Sequence, residues 1–120
     1  KEYDSLLSYA LNCVKDSPIL FVKFGSVKVS FTGEIANELL YRYPEKIIFI
    51  CRVHNEGIMC SIRSSMDSAL NLSDIVSRSV AGIPNSTGGG HEHSCGARVP
   101  SDYFEMFYTK FTDEIMNKIK

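Results

Sequence analysis

The 120-residue chain is short of most features that would declare a function outright. Thirteen Lys and Arg stand against fourteen Asp and Glu, a formal net charge of -1. That excludes a wholesale cationic coat of the kind non-specific nucleic-acid binders turn toward phosphates, and leaves room only for a local patch. No apolar run approaches the ~18 to 20 residues of a membrane helix; the longest, residues 19–22 and 47–51, are strand-sized. Cys13, Cys51, Cys60 and Cys95 form no C-x-x-C pair and no zinc-finger frame, so free thiols in a reducing, cytoplasmic compartment are expected. Internal repeats and heptads are absent. The chain begins at Lys1 with no apolar segment of a signal peptide behind it, and it reads as a piece of a larger protein.

What is present is one core's worth of hydrophobic residues, 44% of the chain, too many for disorder and enough for one domain. Tyr3, Leu6, Leu7, Ala10, Leu11 and Val14 recur at helical spacing, and Pro18 bounds that helix. Residues 19–24 predict a strand, Gly25-Ser26 a type II′ turn, and Val27, Val29 and Phe31 a return strand with one wet face. Thr32 is a candidate cap for a helix to about Tyr43, stopped by Pro44. Residues 46–53 are apolar on both faces, the mark of a central strand.

Asn55-Glu56 predicts a two-residue turn into a strand over 58–63. The implied register sets Cys51 against Cys60, Phe49 against Ile62 and Val53 against Ile58 on one apolar face. The other face then pairs Ile48 with Arg63, Ile50 with Ser61 and Arg52 with Met59, and a Cys51–Cys60 bridge is geometrically conceivable. Ser73 is expected to cap a third helix, residues 85–90 to form a Gly-rich loop, residues 97–99 a short strand, and Ser101 to cap a last helix whose stripe is Phe104, Phe107, Tyr108, Phe111 and Ile115. The sum is an α+β fold: a mixed sheet of about five strands with helices packed on it, and a Gly-rich loop after the third helix.

Two stretches could carry chemistry. Gly88-Gly89-Gly90-His91-Glu92-His93-Ser94-Cys95-Gly96-Ala97-Arg98 spends conformational entropy that needs a reason. Either it is a flexible surface loop, or side chains are absent so that the backbone can close on an anion, with a short helix starting at His91. It is neither a Walker loop nor a dinucleotide fingerprint, and it lacks the H-E-x-x-H and deaminase zinc frames. His91, His93 and Cys95 leave a metal conceivable, without a fourth ligand near in sequence. Ser61-Ile62-Arg63-Ser64-Ser65 ends a strand on an arginine among hydroxyls: either a surface arginine beside a polar loop, or a phosphate clamp. The carboxylates sit at helix ends and exposed faces, and no paired acids or Ser-His-Asp arrangement stands out.

Together these stretches resemble the DHH-associated domain, type 1, which follows the catalytic domain of RecJ-like exonucleases, oligoribonucleases and related phosphoesterases. The Gly88-Gly89-Gly90-His91 run through Gly96-Ala97-Arg98-Val99-Pro100 is closest to archaeal RecJ-like members, and the likeness covers residues 19–100 and extends toward the final helix. Ser94-Cys95 stand where many members have two alanines. Alanyl-tRNA synthetases carry a related domain without a comparable His-containing run.

The resemblance implies that residues 1–17 connect from a DHH catalytic domain and that residues 18–120 bind substrate. Ser61, Arg63, Ser64, Gly88, Gly89, Gly90, His91, His93 and Arg98 would then contact phosphate, and no catalytic or metal-ligating residue would lie in this chain. Manganese or magnesium would belong to the catalytic domain. The partners implied are single-stranded DNA or RNA or short oligonucleotides, and no membrane. This piece alone would be inactive within a manganese-dependent phosphodiesterase or exonuclease. A nano-RNase, a cyclic-dinucleotide phosphodiesterase or a non-catalytic interaction domain are the alternatives.

Overall fold

A computed structural model describes residues 2–26 and 31–119. Its elements are α1 (Glu2–Leu11), β1 (Ile19–Ser26), α2 (Thr32–Arg42), β2 (Ile47–His54), β3 (Gly57–Arg63), α3 (Leu72–Val80), β4 (Thr87–His91), β5 (Ser94–Pro100), a 3-10 turn (Ser101–Tyr103) and α4 (Phe104–Lys118). The five strands form one mixed sheet in the order β1-β2-β3-β5-β4, with β1 parallel to β2 and every other pair antiparallel. The α+β class is as expected.

The central hairpin follows directly from its sequence. Asn55 and Glu56 both take positive φ, 48° and 62°, the geometry a two-residue hairpin turn needs. Cys51 pairs with Cys60, Phe49 with Ile62, Ile48 with Arg63, Ile50 with Ser61 and Arg52 with Met59, the register the alternation predicts. Cys51 and Cys60 remain free thiols.

Helices cover the sheet unequally. On one side Phe49, Cys51, Ile58, Cys60, Ile62, Cys95, Ala97 and Val99 meet Leu72, Ile75 and Val76 of α3 and Phe104, Phe107, Phe111 and Ile115 of α4. Phe49 is the hub, with ring centroids 5.2 Å from Phe111 and 6.1 Å from Phe107; each fully buried phenylalanine is worth about 2 to 3 kcal/mol. On the other side Ile35, Ala36 and Leu39 of α2 and Ala10 of α1 cover Leu20, Val22, Phe24, Ile48 and Ile50. That second layer is centred on β1 and β2.

Several expectations are corrected. Gly25 and Ser26 are not a hairpin turn: both lie within β1, which runs parallel to β2 and pairs Ser26 with Val53. The expected return strand falls mainly on residues 27–30, outside the described residues, and Phe31 occupies the N-cap of α2 in place of Thr32. Asn71, not Ser73, caps α3, accepting from the Asp74 amide at 3.2 Å. Ser101 opens a 3-10 turn, so α4 begins at Phe104.

The Gly-rich loop is the largest correction. Thr87–His91 is a strand, and no helix begins at His91, because a tight turn sends the chain back as β5. Glycine has weak strand preference, but here neighbours impose the conformation. Gly88 packs where any Cβ would lie 2.8 Å from Val76 Cγ1 and 3.1 Å from Val80 Cγ1. Gly89 and Gly90 have φ of 157° and 146°, values an L side chain rarely adopts.

Candidate functional site

Residues directly opposite one another on adjacent antiparallel strands point to the same face, so the register sorts the candidate residues. On the face away from α3 and α4, three rows cross β3, β5 and β4. They are Arg63–Ser94–His91, then Ser61–Gly96–Gly89, then Met59–Arg98–Thr87. Successive rows lie two residues apart, about 6.7 Å along the strands, and neighbouring strands are about 4.8 Å apart. The middle row carries no side chain beyond Ser61. An open cleft of about 460 Å³ lies over the glycine and Arg98 rows, lined by Met59, Thr87, Gly89, Gly96 and Arg98 among others, and it stops short of the Arg63–Ser94–His91 row.

Arg63 stands at the last position of β3 and is held rather than splayed. Its Nε donates to Asn37 Oδ1 of α2 at 3.0 Å, and its Nη1 to the carbonyls of Ile62 and Cys95 at 3.1 and 3.2 Å. A Cβ on Gly33 would lie 3.4 Å from Nη2, so the first turn of α2 borders the guanidinium. Partial burial lowers the Arg63 pKa, against a weaker opposing pull from Cys95, yet a guanidinium stays charged at any working pH. Burial pushes the Cys95 thiol up. Ser61 Oγ donates to Thr32 Oγ1 at 3.3 Å, which places Ser61 beside the start of α2, where the helix dipole favours anions.

The β4–β5 turn is bolted to the rest of the domain. The Leu72 amide donates to the Glu92 carbonyl at 2.8 Å and the Ser64 amide to the His93 carbonyl at 3.0 Å. Ser64 Oγ lies 3.1 Å from His93 Nδ1, and His93 Nε2 lies 3.8 Å from a Glu92 carboxylate oxygen. Those three side chains look like a hydrolytic triad on paper. Ser64 is only 2% exposed, however, so its hydroxyl orients the imidazole and no substrate carbon can reach it.

The candidates therefore divide. Ser61, Arg63, Gly89 and His91 share the open face, with Ser94 and Gly96, small residues that carry no signal of binding in the sequence. Gly88 and Gly90 pair with Ala97 and Cys95 and turn toward the core side. Ser64 and His93 form a supporting pair behind the Arg63 end. Arg98 lies on the open face at the opposite end, its Nη2 donating to the carbonyls of His54 and Asn55 at 3.3 and 3.1 Å. His91, His93 and Cys95 point to different places, and among the described residues no group of three His, Cys, Asp or Glu side chains could hold a metal ion. No described helix is long and apolar enough to cross a membrane.

Comparison with known proteins identifies the family and the fold. The family described as the DHHA1 domain matches residues 16–118. No curated protein matches the sequence. Among solved structures, RecJ from Thermus thermophilus, in complex with Mg2+, is similar with a TM-score of 0.73 and 14% identity over 97% of this chain and 17% of its own. The pGpG-specific phosphodiesterase PggH from Vibrio cholerae gives 0.69 and 12% over 95% of this chain and 38% of its own. The C-Ala domain of Aquifex aeolicus alanyl-tRNA synthetase gives 0.63 and 19% over 76% of this chain and 84% of its own. At these identities the likeness is one of fold, and the chain spans well under half of the first two.

Proposed function

The chain belongs to the DHHA1 domain family, and from that premise we propose that it is the substrate-binding part of a DHH-type phosphoesterase. It takes a single-stranded nucleic acid by its backbone. Phosphate sits at the Arg63–Ser94–His91 row, and the strand lies over the bare backbone of Gly96 and Gly89. The observation that carries this reading is a restrained guanidinium at the rim of a floor without side chains. With Nε and Nη1 already donating to Asn37, Ile62 and Cys95, Arg63 keeps Nη2 as a charged donor for phosphate, and the fixed seat reduces the entropy lost on binding. His91 is exposed at the other end of that row and adds a donor when its imidazole is suitably oriented.

The chemistry of bond cleavage belongs to a DHH catalytic part carrying manganese or magnesium, with this face closing the cleft from the far side. The carboxylates and histidines of this chain offer no cluster for such an ion among the described residues, so no cleavage step is assigned to them. Residues 1–17 serve as the connector. A dinucleotide substrate is the second reading, supported by the fold likeness to a pGpG-specific enzyme.

The test is titration of a labelled single-stranded oligonucleotide into the wild type, Arg63→Ala and His91→Ala. Losing a charged hydrogen-bond donor costs about 1.5 to 3 kcal/mol, so Arg63→Ala should weaken binding at least tenfold. Titration curves that overlay for all three proteins sink the proposal.

A further inference from the structure

The row at the far end of the glycine floor continues onto β2, and there it carries a second arginine. Arg52 pairs with Met59, and Met59 with Arg98, so two arginines flank one methionine in the row, on the face that Ser61 and Arg63 share. Arg98 has a fixed seat: besides its bonds to the β2–β3 turn, it fills the space left by Gly57, where a Cβ would lie 2.7 Å from its Cζ. Arg52 is different. Its Nε is buried without a hydrogen-bond partner, and it enters no salt bridge among the described residues. A buried donor left unmet costs about 1 to 3 kcal/mol, more when charged. A methionine or leucine at this position would serve the sheet better.

We propose that Arg52 and Arg98 form a second anion subsite, which takes a further phosphate of the strand held at Arg63. The inference rests on the reading of this face as a phosphate-binding surface. Met59 and Arg63 are four residues apart on β3, about 13 Å of strand. That separation exceeds the gap between adjacent phosphates of a nucleic-acid backbone. The face therefore engages both ends only with an oligonucleotide, and a dinucleotide reaches one end alone. Between the ends, Gly96 and Gly89 let the sugar-phosphate chain pass close to the sheet, which side chains would prevent. Neither Arg52 nor Arg98 is paired with an acid among the described residues, so both charges remain available to the phosphate.

The experiment measures affinity of wild type, Arg52→Met and Arg63→Ala for an octanucleotide and a dinucleotide across a salt series, with a thermal melt of each protein. Removing one phosphate contact lowers the slope of log K against log salt by about 0.7 for a single strand. The expected result is that Arg52→Met loses affinity and about that much slope for the octanucleotide, keeps wild-type affinity for the dinucleotide, and melts no lower than wild type. Arg63→Ala should weaken both ligands.

Octanucleotide binding by Arg52→Met that matches wild type, while Arg63→Ala is impaired, overturns the second subsite and leaves the first intact. Equal losses for both ligands overturn the length selection. Wild-type behaviour of both variants overturns the underlying reading instead. Should Arg52→Met fail to fold, Arg52→Lys decides: it keeps a cation without the guanidinium fork and should retain the slope while losing affinity. A slope reduced as though no cation remained there counts against the proposal.

Discussion

The three glycines of β4 occupy three different environments, and single alanine substitutions should separate them. At Gly90 a Cβ would lie 2.5 Å from the Ser94 carbonyl oxygen and 2.9 Å from Cys95 Cα. Both atoms are backbone of β5 and cannot rotate away. Overpacking costs about 1 to 3 kcal/mol, and positive φ on an L residue about 1 to 3 more, so Gly90→Ala should lose about 4 kcal/mol. That is a large share of the roughly 5 to 15 kcal/mol typical of a domain. At Gly88 the Cβ meets Val76 Cγ1, Val80 Cγ1 and Ala97 Cβ at 2.8, 3.1 and 3.3 Å; α3 can give slightly, and the cost should be about 1 to 3 kcal/mol. At Gly89 nothing lies within 4 Å, so only the backbone term of about 1 kcal/mol remains. Urea unfolding reads these out: with a slope of about 1.5 kcal/mol per molar, Gly90→Ala should shift the midpoint by roughly 2 M or more. Val76→Ala should partly rescue Gly88→Ala, a coupling a double-mutant cycle detects. Equal midpoints for Gly90→Ala and Gly89→Ala, or no coupling between positions 88 and 76, would refute this account of why the strand is made of glycine. Gly89→Ala should instead weaken oligonucleotide binding, since its methyl would stand on the open floor.

Other outcomes follow from local chemistry. Cys60 is buried and its thiol is pushed well above the ordinary range by a hydrogen bond with Cys51 and by burial. Among the four cysteines only Cys13 is not buried. Mass spectrometry after brief alkylation of the native protein should therefore count one label, and four after denaturation; two or more labels under native conditions contradict the buried placement. Ser64→Ala should cost about 1 kcal/mol and release the His93 ring, visible as altered imidazole NMR shifts, and unchanged shifts would remove the orienting role. Arg78 donates to both carboxylate oxygens of Glu114 at 2.9 Å, joining α3 to α4, and this hydrogen bonding holds the Glu114 carboxyl below its usual range. A folded pKa below the unfolded one gives stability that is present above the ordinary glutamate range and lost as pH falls through the lowered value. Glu114→Gln should thus melt below wild type at neutral pH and low salt and converge with it in acid; a constant gap across pH would contradict the ion pair.

What could be read in advance depended on side chains. The β2–β3 hairpin was legible to the individual pair, because residues 47–53 and 58–63 sort cleanly onto two faces once the turn is fixed and a one-residue slip would bury Arg63. The aromatic stripe of α4 was legible for the same reason at helical period, and four of its five members are buried. The path of β1 was not: Gly25-Ser26 has the local chemistry of a turn, whereas the parallel partner that keeps it extended comes from β2, more than twenty residues later. Nor was β4, since glycines carry no alternation and the reason for them, Val76 and Val80, lies on another element. Asn71 and Ser73 are both good caps, and only the bond to the Asp74 amide chooses between them. Arg52 did carry a signal, as a cation in a strand otherwise apolar on both faces. Its meaning depends on Arg98 standing two strands away.

The placement of the β2–β3 hairpin also bears on how the domain is assembled in time. It is the sheet's most local pairing beside the β4–β5 turn, closed by two residues, so its loop-closure entropy is small and it forms on the microsecond scale of isolated hairpins. β1 must close across α2 to join one side of it, and β5 must return past α3 to join the other. The rows that present Arg63, Ser94 and His91 together exist only after that second, non-local pairing, which is the slower class of event. The face proposed to bind phosphate is therefore completed late on the folding route, and if it binds an oligonucleotide, ligand-detected refolding should lag the appearance of strand signal.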